Sequence, residues 1–446
     1  MNTFNLKPWI SNSLKNNNIK EFTQIQERSL NLLNEEKNFI GVSPTGTGKT
    51  LAYLLPILER IDFTLNKYQA IIVCPTRELA RQVFNVLKTF KDEQPDLKTK
   101  LWIGGVDLNQ LINNAKTNFS HIIICTPQRF LEVSNNLPDT LFENVHTFVL
   151  DEADMLLDLN FYPQITQITE KLDFENVYKI AMSATLHNQL NNEINKIFKN
   201  TIVVNLNNID KLMQKINHYV IKTNDKQHAL SVILNTINPY FCLIFTNTKT
   251  KADEIYKLLL SQNYNVINLH SGLSTRSRKN NYKDIKNQKF QYVVASDLFS
   301  RGMDIEGASH IINYDIPKTP EWYIHRAGRT GRNKYTGISY VLYTNNDQKD
   351  FEKILNKKIH FQIKQIKNNE LVDSRLNLKK KKIKNEQQEK EIRKIVATNS
   401  KVVKPGYKKK LRSKINKIKQ KHKREHIEKL VKKERMKQYR SKDNAN

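Results

Sequence analysis

Phe39-Ile40-Gly41-Val42-Ser43-Pro44-Thr45-Gly46-Thr47-Gly48-Lys49-Thr50 joins four apolar residues to a glycine-bearing loop, and residues 51–60 continue as a helix-compatible run. Strand, tight loop and helix in that order make a cradle for phosphate. Glycines let backbone N–H groups close around phosphate oxygens, and the helix N-terminus adds a favourable dipole. Lys49 then reaches the β- and γ-phosphates, and the Thr50 hydroxyl can ligate Mg²⁺. The candidate cradle is Ser43, Pro44, Thr45, Gly46, Thr47, Gly48, Lys49 and Thr50. The common pattern has glycine where this chain has Ser43, which exchanges one small residue for another.

Outward from that loop the strand–helix alternation recurs. Apolar, largely β-branched runs at residues 70–74, 121–125, 147–150 and 177–182 are followed by helical patterns such as 78–90 and 164–172. A second series starts after about residue 214, with runs at 241–245, 266–269, 292–295, 310–313 and 338–343. Continuous apolar runs mark parallel strands covered on both faces. The expected architecture is two α/β domains, residues 1–205 and 214–370. The polar stretch 206–213 links them, between strand-like 201–204 and 218–221.

Residues 147–150 run straight into Asp151-Glu152-Ala153-Asp154. Adjacent carboxylates at the end of a buried strand are costly unless they meet a cation or a reacting water. In an open α/β sheet that edge is where ligands bind. Asp151 can hold Mg²⁺ through its water shell, and Glu152 can orient and deprotonate an attacking water. In the second series, His325-Arg326-Ala327-Gly328-Arg329-Thr330-Gly331-Arg332 spaces three arginines by three residues. Guanidinium forks suit phosphate oxygens and transition-state charge. Ser296-Asp297 and Arg301-Gly302-Met303-Asp304 lie just upstream. One nucleotide site shared by two domains would make their closure depend on the nucleotide.

The charge is uneven. The 446 residues carry a formal +29, but residues 373–446 alone hold 28 Lys+Arg against 8 Asp+Glu. That tail has no Phe or Trp and only Tyr407 and Tyr439, so it buries little by itself. Leu411, Ile415 and Ile418, then Ile427, Leu430 and Val431, suggest a weak amphipathic helix. A polycation of this kind points to nucleic acid, and its few large apolar side chains argue against a membrane surface. Hydrophobic residues at 39% exclude a wholly disordered chain. Cys74, Cys125 and Cys242 form no CxxC pair, which excludes a zinc ribbon or disulfide framework and fits a reducing compartment. No apolar run approaches ~18 residues. The asparagine-rich residues 1–20 lack the apolar segment of a signal peptide, so a cytoplasmic protein is expected.

Taken in order, these motifs resemble the DEAD-box ATP-dependent RNA helicases, a family named for the Asp151-Glu152-Ala153-Asp154 signature. The resemblance covers about residues 4–370. Thr23-Gln24-Ile25-Gln26 resembles the motif whose glutamine reads the adenine edge. Pro75-Thr76-Arg77-Glu78-Leu79-Ala80, Gly104-Gly105 and Thr126-Pro127-Gln128-Arg129 resemble RNA-contacting motifs. Ser183-Ala184-Thr185 resembles the motif linking nucleotide state to RNA, and residues 270–278 the second domain's RNA-contacting element.

The resemblance implies two tandem RecA-like domains with parallel sheets covered by helices; beyond it, the charge count points to a basic, largely disordered or helical RNA-binding tail at 371–446. It implies ATP and Mg²⁺ as ligands and RNA as a partner gripped mainly by its backbone. It assigns Gln26 and Asp304 to the nucleotide, and Arg329 and Arg332 as arginine fingers beside catalytic Lys49, Asp151 and Glu152. Thr50 and Asp151 would serve the metal. Thr76, Arg77, Gly105, Thr126, Arg129, Arg278 and Ser296 would line the RNA path. Asp154, Ser183, Thr185 and His325 would couple the two sites.

Departures from the family pattern are Ile19 where an aromatic is usual, Phe22 for proline, Gln128 for glycine, Thr275 for glutamine and Phe299-Ser300 for an Ala-Ala pair. The tail segment Lys401-Val402-Val403-Lys404-Pro405-Gly406-Tyr407-Lys408-Lys409-Lys410 resembles that of the cold-shock branch in low-GC Gram-positive bacteria. The expected function is local unwinding of short RNA duplexes in ribosome biogenesis, mRNA turnover or cold adaptation. Ribosomal precursor particles or RNA-decay machinery are the expected partners, with no membrane. The alternative is an ATP-gated RNA clamp with little strand displacement.

Overall fold

The computed structural model describes residues 4–44, 46–186, 188–206, 213–296, 305, 307–331, 336–357 and 359–374, and scattered residues beyond. The chain falls into two units, Met1–Ser374 and Arg375–Asn446. The first is described here. Of the tail helix expected from Leu411, Ile415 and Ile418, residues 411, 413, 414, 416–418 and 420 are described and helical, while Ile427, Leu430 and Val431 lie outside the described residues.

In the first lobe the strands are β1 (Phe39–Val42), β2 (Ala70–Val73), β3 (Thr99–Trp102), β4 (Ile122–Cys125), β5 (Thr147–Leu150), β6 (Tyr178–Ser183) and β7 (Ile202–Asn205). They form one sheet in the order β3-β4-β2-β5-β6-β1-β7, parallel throughout. Side chains alternate across it with period two. Phe39, Ala70, Ile72, Ile122, Ile124 and Val149 belong to one apolar cluster. Ile40, Val42, Ile71, Val73, Ile123 and Phe148 belong to the cluster on the opposite face. Amphipathic helices close both faces. The Arg77–Lys91 helix, for example, buries Leu79, Ala80, Val83, Leu87 and Phe90 at helical spacing.

The second lobe repeats the plan. Its strands are β8 (Ile216–Lys222), β9 (Cys242–Thr246), β10 (Val266–Leu269), β11 (Tyr292–Ser296), β12 (His310–Asn313), β13 (Gly337–Tyr343), β14 (Phe361–Lys367) and β15 (Glu370–Asp373). The order is β10-β11-β9-β12-β13-β8-β14-β15, and only the last pair is antiparallel. Cys242, Ile244, Val294 and Ile312 face one cluster, and Leu243, Phe245, Val293 and Ile311 the other. Residues 207–212, within the expected linker, lie outside the described residues.

Cys74, Cys125 and Cys242 are buried and unbridged. Burial pushes all three thiols up from their ordinary range. Among the described residues no helix is long and apolar enough to cross a membrane.

Candidate functional site

The strand order of the first sheet sorts its motifs. The adjacent strands β5, β6 and β1 end in Asp151-Glu152, Ser183-Ala184-Thr185 and the phosphate loop. The adjacent strands β3, β4 and β2 end in Gly104-Gly105, Thr126-Pro127 and Pro75-Thr76. All six segments leave the carboxyl edge of one parallel sheet, where α/β folds place ligands.

At the first corner, Gly48 caps the Lys49–Arg60 helix in the left-handed region (φ 87°, ψ 25°). A Cβ there would lie 2.2 Å from Gln26 Nε2, so glycine is required twice over. Ser43 Oγ and Thr47 Oγ1 are 2.8 Å apart, and the Thr47 hydroxyl donates to Pro44 O at 2.7 Å. Gln26 Nε2 donates to Gly48 O at 3.1 Å, while its Oε1 accepts from Thr23 N at 2.9 Å. The glutamine therefore ties the start of its own helix to the loop.

Lys49 Nζ stands 3.1 Å from Glu152 Oε1, with side chains only 7% and 10% exposed. This is a Coulomb contact rather than a directed bond, because among the described residues the ammonium has no hydrogen-bond partner. Asp151 is buried, and its Oδ2 accepts from the Tyr53 hydroxyl at 3.0 Å. Burial first, and the neighbouring Glu152 second, raise the Asp151 carboxyl to about 7; Lys49 and Tyr53 offset part of the rise. Glu152 holds a left-handed backbone (φ 46°, ψ 57°), a strain of order 1–3 kcal/mol for a residue with a Cβ. It turns the two carboxylates off the strand end.

Asp154 Oδ2 gathers donors from both lobes. Thr185 Oγ1 reaches it at 2.7 Å and Thr185 N at 3.2 Å. His325 Nε2, from the second lobe, reaches it at 3.1 Å. Ser183 Oγ donates to Thr185 O at 2.6 Å and so shapes that turn. One turn from His325 on the same helix, Trp322 Nε1 donates to Asp158 Oδ2 at 2.7 Å. Two indole and imidazole donors thus bind the first lobe's acidic helix.

Of the three arginines spaced by three, Arg326 is held inside the second lobe. Arg326 Nη1 donates to Asn313 Oδ1 and Asp315 O, and Nη2 to Asn247 Oδ1, all inside the second lobe. Its guanidinium also lies over the Phe245 ring. Arg326 is therefore scaffold, which corrects the grouping by spacing alone. Arg329 is buried. Arg332, Asp304 and Thr45 lie outside the described residues, as do Phe299 and Ser300. Thr50 lies beside the Tyr53 hydroxyl.

The second corner opens into a cleft of about 400 Å³ lined by Thr76, Arg77, Gly104, Thr126, Gln128, Arg129, Ser271 and Arg278, among others. The Arg77 guanidinium lies flat against Gly104, where a Cβ would fall 2.2 Å from Nη2. Thr76 Oγ1 accepts from Leu79 N and caps its helix. Arg129 meets Glu132 at 3.2 Å, and Arg278 meets Glu78 across the lobes at 3.6 Å. Gln128 donates along its own helix to Glu132 at 3.0 Å, so its extra bulk is held against the wall. Gly105 (φ 90°) follows Gly104 but does not line the cleft, and Ser296 is buried at the end of β11 away from it. Ile19 and Phe22 pack on the first lobe's core.

Sequence reasoning missed Tyr53 and Trp322. Both carried a helical signal: Tyr53 is four residues after Lys49, and Trp322 three before His325, so each shares a helix face with a named residue.

Comparison with known proteins bears on the site. Residues 23–193 match the family model for DEAD/DEAH box helicase, and residues 225–334 that for the helicase conserved C-terminal domain. The DEAD-box ATP-dependent RNA helicase CshB of Bacillus subtilis (strain 168) is 34% identical over 428 residues, 94% of this chain and 97% of the relative. CshB of Staphylococcus aureus (strain NCTC 8325 / PS 47) is 35% identical over 374 residues, 82% of each chain. Among solved structures, S. cerevisiae Dbp5 bound to RNA and ADP BeF3 superposes with a TM-score of 0.71 at 26% identity, covering 81% of this chain and 94% of that one. The two lobes are tandem RecA-like domains.

Proposed function

The chain belongs to the DEAD-box ATP-dependent RNA helicases, enzymes whose ATPase is stimulated by RNA, and we propose that it unwinds short RNA duplexes locally by closing its two lobes on one strand. The observation that carries this reading is Asp154. One carboxylate oxygen takes donors from the turn after β6 and from His325 of the second lobe. A group that both lobes share, one residue from Ala153 and two from Glu152, couples lobe arrangement to the catalytic carboxylates.

The residues fit ATP and Mg²⁺. Lys49 offers a buried ammonium with no hydrogen-bond partner among the described residues, which is the group a phosphate oxygen would satisfy. Asp151 and the Thr50 hydroxyl supply hard oxygen donors. Among the described residues no cluster of three carboxylates, histidines or cysteines could hold a metal, so Mg²⁺ would rest largely on phosphate oxygens and water. When bound, Mg²⁺–ATP supplies the phosphoryl group and the charge that neutralises its oxygens.

The chain's own groups do the rest. Residues 43–50 cradle the phosphates, and Gln26, already tied to Gly48, meets the base. Asp304 meets the ribose. Glu152, turned by its left-handed backbone, orients the water and takes its proton. Arg329 and Arg332 approach from the second lobe and stabilise transition-state charge. Thr76, Arg77, Thr126, Arg129 and Arg278 serve the RNA backbone in the cleft, Gly105 and Ser296 serve it beyond the cleft, and Ser183, Thr185 and His325 relay between the sites. Backbone contacts carry little sequence information. A gripped, bent strand leaves its partner strand, and hydrolysis reopens the cleft.

The role proposed is in cold adaptation, ribosome biogenesis or mRNA turnover, on ribosomal precursors or with the decay machinery, and the similarity to the CshB helicases supports the RNA helicase part of it. The expected tail begins at 371, but Glu370–Asp373 form β15, so the basic tail is 375–446, and it anchors RNA without sequence preference. Deleting residues 379–446 should weaken RNA affinity and flatten its salt dependence while RNA-free ATPase persists; an unchanged salt slope would sink the tail's role.

The deciding experiment measures ATPase with and without single-stranded RNA, beside strand displacement on a short duplex, with DNA as control. RNA-specific stimulation with displacement supports the reading. Stimulation without displacement leaves the clamp. Equal stimulation by DNA rejects both.

A further inference from the structure

Beside the RNA cleft lies a larger cavity that the mechanism above leaves unused. It measures about 750 Å³ and opens between the Arg77–Lys91 helix of the first lobe and the Thr275–Lys286 helix of the second. Six basic side chains line it, Arg81, Lys88, Arg278, Lys279, Lys283 and Lys286, against one carboxylate, Glu78. Glu78 already faces Arg278 at 3.6 Å. Asp284, the one acid of the Thr275–Lys286 helix, is paired outward with Lys289 at 2.8 Å. Among the described residues no acid pairs with Arg81, Lys88, Lys279 or Lys283. Cations gathered without counter-charge make a field that draws a polyanion.

The walls also present aromatic rings. Phe84 and Tyr282 line the cavity, with Lys88 Nζ over the Phe84 ring at 5.1 Å and Lys286 Nζ over the Tyr282 ring at 5.4 Å. Cations interleaved with π-faces are the make-up of a groove for single-stranded nucleic acid, where phosphates meet the charges and bases stack on rings. Glu78 and Arg278 line both this cavity and the RNA cleft, so a strand leaving the cleft at that edge enters the cavity.

We propose that this cavity is a second RNA subsite, which takes the nucleotides flanking the stretch held in the cleft. The proposal rests on the RNA reading given above. Its two walls belong to different lobes and are joined by Gln82 Nε2 donating to the Tyr282 hydroxyl at 3.0 Å. A strand that touches both walls binds the joined arrangement better than the parted one, so it favours closure by that difference. Strand length thereby becomes a regulator: an RNA long enough to fill the cavity closes the enzyme more readily than one that fills the cleft alone.

The test uses the full chain and the triple variant Lys88→Ala, Lys279→Ala, Lys283→Ala. Fluorescence anisotropy would follow binding of single-stranded RNA of about six and about twenty nucleotides across a salt series. For the longer RNA the variant should lose about tenfold in affinity, and its log–log salt slope should fall by about 2, from three phosphates at about 0.7 each. For the shorter RNA it should match the wild type. Phe84→Leu keeps every charge, so it should weaken the longer RNA while leaving the slope unchanged. Wild-type affinity of the triple variant for the longer RNA overturns the subsite, as does equal loss on both lengths. Failure of the wild type to bind either RNA would overturn the RNA reading itself, a result separable from the others because the short RNA reports the cleft alone.

Discussion

The corner proposed for the nucleotide and the cleft proposed for RNA sit on one sheet edge, yet their charges live in different media. Ser43, Lys49, Asp151, Glu152 and Asp154 are all buried. In the cleft Arg77, Arg129 and Arg278 are half-buried, and Gln128 is exposed. Charges withdrawn from water interact strongly and are costly to leave unpaired. Charges at a wet wall are screened, and each contributes modestly. The corner should therefore respond to substitution as a switch, and the cleft as a sum.

The largest expected effect lies in the corner. Glu152→Gln keeps shape but removes the base, and should lower RNA-stimulated ATPase by about 10²–10⁴-fold with RNA affinity nearly unchanged. A parallel loss of RNA binding would erase the distinction between the two regions.

In the cleft the loss should be graded. Arg129→Ala removes one charged contact, so the RNA concentration for half-maximal stimulation should rise about tenfold. RNA-free ATPase should stay as it was; a matching fall there would mean that Arg129 serves the corner.

Between the regions, Trp322→Phe deletes the bond to Asp158 while keeping the ring. A neutral donor lost to a charged acceptor at a partly exposed site should reduce the RNA stimulation factor about threefold, with both basal ATPase and RNA affinity kept. Loss of either one alone would place Trp322 in a single site rather than between the two.

The smallest effect has the opposite sign. The Asp151 carboxyl stands at about 7 in the folded chain against an ordinary 3.8, so the folded state holds the proton more tightly than the unfolded one. Stability from this group is present at acid pH and declines as pH rises between those two values. Asp151→Asn removes the titration. Between about pH 5 and pH 8 the ligand-free wild type should lose about 2 °C more in Tm than the variant, although the variant is inactive. Parallel melting curves would show the carboxyl to be solvated after all.

What the sequence made legible follows from burial. Central strands such as β5 and β11 are sealed on both faces, so they read as unbroken apolar runs at nearly the right residues. The run at 70–74 exceeds β2 by one residue at its end, and the run at 177–182 is offset from β6 by one residue at each end. β3 escaped because it is an edge strand, with Thr99-Lys100-Leu101-Trp102 only half-covered until its last residue. β14 (Phe361–Lys367) and β15 also lie at an edge, and the charged, alternating Phe-Gln-Ile-Lys-Gln-Ile-Lys run gives no sealed segment to detect. In the site, local motifs were readable because loop and strand end are continuous in sequence. The aim of a side chain was not: Arg326 shares the spacing of Arg329, but only the positions of Asn247, Asn313 and Asp315 in space decide that it points into its own lobe.

The strand order has a mechanical consequence. Six of the seven strands in the first sheet carry a ligand-facing segment, and neighbouring strands lie about 4.8 Å apart. They are bonded to one another along their lengths, so the first lobe is a plate with two fixed seats. A strand of RNA seated at one end and a phosphate at the other cannot be dragged together within it. On the proposed mechanism any pull on the RNA would come from the second lobe moving against that plate, with the Asp154–His325 contact as its latch and the plate itself as the anvil.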